Sequence, residues 1–148
     1  MRKCSLIKFN NHRDIALHRL PFIKTSPAGV NFWNIPAAGG FAGGCQTGEA
    51  LAKIYLRYLR EDRESGGGSL QLIVADMCLS SGKNHQFNEY AAESLNGQMV
   101  GFLSVLDKWL RIAVMSNGDC LDDLDITALL RTANVGICAE PEVRGHHA

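Results

Sequence analysis

Residues 47–60 read TGEALAKIYLRYLR, and this stretch sets the expected fold class. Leu51, Ile54, Tyr55, Tyr58 and Leu59 recur at i, i+3, i+4, i+7 and i+8. That spacing places them on one helical face, with Lys53, Arg57 and Arg60 on the opposite side. Thr47 is the expected N-cap, and Glu49 sits in the first turn, where the helix dipole favours an acid. Gly66-Gly67-Gly68 cannot sustain a helix, so the segment should fray near Arg63.

Working outward, a second helical period runs from about Gln86 to Met115. Tyr90, Ala91, Leu95, Met99, Phe102, Leu103, Leu106, Leu110 and Ala113 form its apolar stripe. Asn96-Gly97 marks a potential break or kink. Gly97 and Gly101 fall on one side of this helix, a spacing expected from close approach of a neighbour. Between the two helices, Leu70–Leu79 reads as either a helix or a buried strand. Ser69 as a cap, together with the continuation through Ala75, Met77 and Leu79, favours helix. Ser80 to Asn84 is expected to be a loop. Ser116 to Asp119 reads as a turn, and Asp125 should cap a short helix, Ile126–Ala133.

The N-terminal side is expected to hold the β structure. Cys4–Phe9 and Val30–Ile35 are candidate strands, and Pro27-Ala28-Gly29 is a turn. The expected architecture is α+β and helix-rich, a small N-terminal β element packed against four to five α-helices. One globular domain over residues 1–148 is expected, with an irregular tail from about residue 135. The triple glycine is the only candidate linker and is too short to divide the chain.

Composition bounds the function. An apolar fraction of 46% and a charged fraction of 20% suit a globular chain and argue against disorder. Fifteen basic and fifteen acidic residues cancel, which leaves no global field to steer the chain onto nucleic acid or an anionic membrane. The charge is nevertheless uneven. Six basic residues and Asp14 lie between Met1 and Lys24, whereas six acids and two arginines lie between Ser116 and Ala148. No run approaches the roughly 18 apolar residues of a membrane span, and no secretory leader pattern follows Arg2 and Lys3. Five dispersed cysteines (Cys4, Cys45, Cys78, Cys120, Cys138) contain no Cys-x-x-Cys pair. Reduced thiols in a cytoplasmic setting are expected, with neither structural zinc nor a disulfide framework.

The candidate sites follow from residue type and place. Residues 39–48 read GGFAGGCQTG, immediately before the expected helix start. A glycine-rich turn leaves N–H groups free at a helix N-terminus, so Gly43, Gly44, Cys45 and Thr47 are the candidate ligand- or anion-binding residues. No Gly-Lys-Ser/Thr follows, which excludes a P-loop, and no βαβ pattern surrounds the segment. As a purely structural turn, it would bring Trp33 and Phe41 to the core. A cysteine at a helix start is a candidate nucleophile, and His85 is the candidate base for Cys45, although no motif links them. Lys53, Arg57 and Arg60 are the candidate partner-binding face, for an acidic protein or for phosphates. Asp119, Asp122, Asp123 and Asp125 lack the ligand alternation and terminal Glu of a calcium loop. No metal set and no cofactor motif is present in the sequence.

Asn31-Phe32-Trp33-Asn34-Ile35, followed by Gly39-Gly40-Phe41 and a helix, resembles a piece of the ArdB-type antirestriction proteins of plasmids and integrative elements. The likeness covers about a dozen residues and does not extend along the rest of the chain. It implies a small protein that blocks a host defence by binding. From the residues, the expected class is a non-enzymatic binding module, a regulator or inhibitor of a protein or nucleoprotein partner. The alternatives are a small enzyme or ligand-binding protein using Cys45 at the glycine-rich turn, and direct nucleic-acid binding by the basic helix face.

Overall fold

A computed structural model describes residue 17 and residues 20–62, 67–85 and 88–139, with backbone only over 83–85. The elements run β1 (Lys24–Ser26), β2 (Gly29–Asn31), α1 (Gly40–Glu61), α2 (Ser69–His85), α3 (Glu89–Asn117), a 3-10 turn (Asp119–Leu121) and α4 (Ile126–Cys138). The described residues are thus helix-rich, with four α-helices and one small antiparallel sheet. The chain divides into two compact units, residues 1–110 and residues 111–148, and the division falls within α3 rather than at the triple glycine.

In the first unit the sheet is a short hairpin. Thr25 pairs with Val30 and Ser26 with Gly29 across a Pro27-Ala28 turn, as the turn chemistry predicts. Its strand residues are all exposed, so the ladder itself adds nothing to the core. The flanks do: Phe22, Ile23 and Trp33 are buried on either side of it. The expected strand Val30–Ile35 is corrected to three residues, Gly29–Asn31. Beyond Asn31 no strand among the described residues lies alongside, and the backbone donors find other acceptors. Phe32 N donates to Asp76 Oδ2 (2.6 Å), Trp33 N to Asn31 Oδ1 (2.9 Å) and Asn34 N to Phe22 O (2.7 Å). The candidate strand Cys4–Phe9 lies outside the described residues.

The expected start of α1 at Thr47 is also corrected. The helix begins at Gly40, after Gly39 in the left-handed region (φ 88°), and so absorbs the whole glycine segment. Each helical glycine costs about 1 kcal/mol relative to alanine. Tertiary packing offsets that cost, because α1 and α3 meet backbone to backbone at four glycines. A Cβ on Gly44 would overlap Ser94 O, and one on Gly48 would overlap Gln98 O. On Gly97 it would overlap Phe41 O, and on Gly101 it would overlap Cys45 O. The register advances in the same direction on both helices, so they run parallel at this contact. Asn96-Gly97 therefore marks close approach, and α3 passes through it unbroken.

The helical alternative holds for residues 70–79, and α2 continues through the expected loop Ser80–Asn84 to His85. Ser81 is buried and donates to Asn96 Oδ1 of α3 (3.0 Å), which holds the extra turn in place. Ser69 is the first residue of α2, and its hydroxyl shares a 2.8 Å hydrogen bond with the buried Tyr55 hydroxyl.

Leu51, Tyr55 and Tyr58 of α1, Ile73 and Met77 of α2, and Leu95, Phe102 and Val105 of α3 close around Phe22 and Trp33. Trp33 lies between two rings, with centroids 5.2 Å from Phe22 and 5.3 Å from Phe102. Leu59, on the predicted apolar face of α1, is exposed.

In the second unit, α4 starts as predicted. The Asp125 side chain accepts from Ala128 N (3.1 Å). The helix then runs to Cys138 rather than stopping at Ala133, which corrects the expected irregular start of the tail. Ile126, Leu129, Leu130, Ala133 and Ile137 continue one helical stripe to that end.

Candidate functional site

The glycine-rich segment was expected to offer free N–H groups at a helix start. With α1 beginning at Gly40, Gly43, Gly44, Cys45 and Thr47 all lie inside the helix. Gly43 N is already bonded to Gly39 O (3.2 Å). Gly44 is buried against the backbone of α3, and the Cys45 carbonyl faces Gly101. Gly44 and Cys45 belong to a helix contact, and all four residues lie within α1 rather than in a loop, which corrects the loop premise behind the candidate anion site. Trp33 reaches the core as expected, whereas Phe41 stays half exposed. Cys45 is half-buried and unpaired to any other cysteine. His85 ends α2, and its side chain lies outside the described residues.

A connected set of polar groups lies beneath this contact. Trp33 Nε1 donates to Gln98 Oε1 (3.0 Å), and Gln98 Nε2 donates to Pro36 O (2.9 Å). Ser94 Oγ donates to Ala38 O (2.7 Å). Gln98 is 1% exposed and Ser94 fully buried, so each bond compensates a real desolvation cost. The partners are indole, amide, hydroxyl and backbone carbonyl groups, with no ionisable group among them. Such a set orients the 33–38 segment over α3 and has no group suited to proton transfer at neutral pH. Burial raises the Tyr55 hydroxyl above its ordinary pKa, with the Ser69 hydrogen bond acting in the opposite direction.

Lys53, Arg57 and Arg60 are exposed on α1, as their spacing predicts. Arg57 Nε lies 3.2 Å from Glu61 Oε1, an exposed i,i+4 pair of the kind that contributes little to stability. Arg63 and the basic N-terminal segment lie outside the described residues, as do His146 and His147. Among the described residues no three His, Cys, Asp or Glu side chains are grouped to hold a metal ion. No described helix is long and apolar enough to cross a membrane.

The feature that sequence analysis passed over lies in the second unit and the helix leading to it. Residues 109–115 read WLRIAVM, apolar on every side except at Arg111. A helix that is apolar all round belongs inside a protein. Here Trp109, Leu110, Ile112, Val114 and Met115 are all exposed. In α4, Ile126, Leu129, Leu130 and Ile137 share the exposed stripe, and Leu121 and Leu124 of the connection are exposed as well. Apart from the half-buried Gly118, residues 111–139 are exposed throughout. The signal was present in the i, i+3, i+4, i+11 spacing from Ile126 to Ile137. Periodicity identifies an apolar face but not what covers it.

No family model matches the chain, and neither the curated proteins nor the solved structures yield a match. The antirestriction-like pattern thus remains a local likeness over residues 31–41.

Proposed function

We propose that this protein is a non-catalytic binding module that engages a protein partner through exposed apolar side chains of residues 111–139, and that it regulates or inhibits what it binds. The observation that carries this reading is the exposure of ten large apolar side chains between Ile112 and Ile137. Soluble monomers rarely leave more than a few hundred Å² of apolar surface in one patch, and larger patches mark sites of association. Burying a large apolar side chain contributes about 1.5–3 kcal/mol, so a partner that covers these side chains gains affinity from most of its contacts.

The test is capture of nuclease-resistant protein complexes on the tagged wild-type chain and on Leu129→Asp/Leu130→Asp. Protein retained by the wild type, including untagged copies of the chain itself, and lost from the variant is the expected outcome. Equal capture by both overturns the reading. Loss on Lys53→Glu/Arg57→Glu instead transfers the binding role to the basic face of α1.

A further inference from the structure

We draw no further inference here: the strongest candidate, the patch of exposed apolar side chains at the end of α3 and along α4, belongs to the site already described, and nothing in the structure shows what covers it.

Discussion

Gly44 of α1 and Gly97 of α3 meet without intervening side chains: a Cβ on Gly44 would lie 3.1 Å from the Gly97 Cα, and one on Gly97 would lie 3.0 Å from Cys45 N. Four residues further along each helix, Gly48 and Gly101 repeat the arrangement. Glycine lets the Cα–H groups of one helix face the carbonyl oxygens of the other, which adds weak hydrogen bonds to the dispersion gained by close approach. The core that holds Trp33 and Phe102 depends on this spacing between the two helices.

Alanine at Gly48 or Gly101 should therefore destabilise the fold by about 2 kcal/mol or more, because the obstructing atoms are backbone and cannot rotate away. Gly43 and Gly82 are also helical, but a Cβ at either meets nothing within 4 Å. Alanine there should stabilise by up to about 1 kcal/mol. Urea unfolding of the four single variants checks both signs, and equal effects at all four positions would count against the helix contact.

Gln98→Leu should cost about 2–4 kcal/mol despite its similar volume. It leaves the Trp33 indole N–H and the Pro36 carbonyl without their amide partner in a buried site. A red shift of Trp33 emission under native conditions would report release of the 33–38 segment. Unchanged stability would mean that water or a shifted side chain replaces the amide.

Asp76→Ala should loosen the same segment from its other end, because the Asp76 carboxylate accepts the Phe32 N–H at 2.6 Å. Hydrogen bonds to charged groups contribute about 1.5–3 kcal/mol. Faster amide exchange at Phe32, with α1 unaffected, is the expected result; no change at Phe32 would show that this bond does not hold the segment.

Alkaline stability should depend on Tyr55. In the unfolded chain its hydroxyl ionises near pH 10, whereas burial holds the folded group protonated to higher pH. Above about pH 10 the folded state binds more protons than the unfolded one, so stability falls as pH rises until folded Tyr55 also ionises. Tyr55→Phe should remove this contribution to the slope while costing about 1 kcal/mol at neutral pH through loss of the Ser69 bond. Urea midpoints measured from pH 8 to pH 11 give both quantities.

Asp125→Ala should cost about 1 kcal/mol of α4 stability, since the carboxylate accepts from Ala128 N at the helix start. Exchange of the first-turn amides of α4 reads this directly, and an unchanged rate would show the cap to be dispensable.

The sequence by itself determined the helix-rich class, the Pro27-Ala28 turn, the Asp125 cap and, Leu59 apart, the buried face of α1. Each follows from local chemistry: a turn residue that fixes a dihedral, a side-chain oxygen next to an orphan N–H, or a repeat near 3.6. Tertiary structure alone decided where α1 begins, because glycines that look like a flexible loop become helical once α3 packs against their bare backbone. It decided that Val30–Ile35 is mostly irregular, since a strand requires a neighbour and the donors after Asn31 found Asp76, Asn31 and Phe22 instead. It also decided the fate of the long apolar stripe of α3, buried around Leu95 and Phe102 and exposed from Trp109 to Met115. Hydrophobic periodicity records that a face must leave water; only the packed structure shows which part of that face its own chain covers.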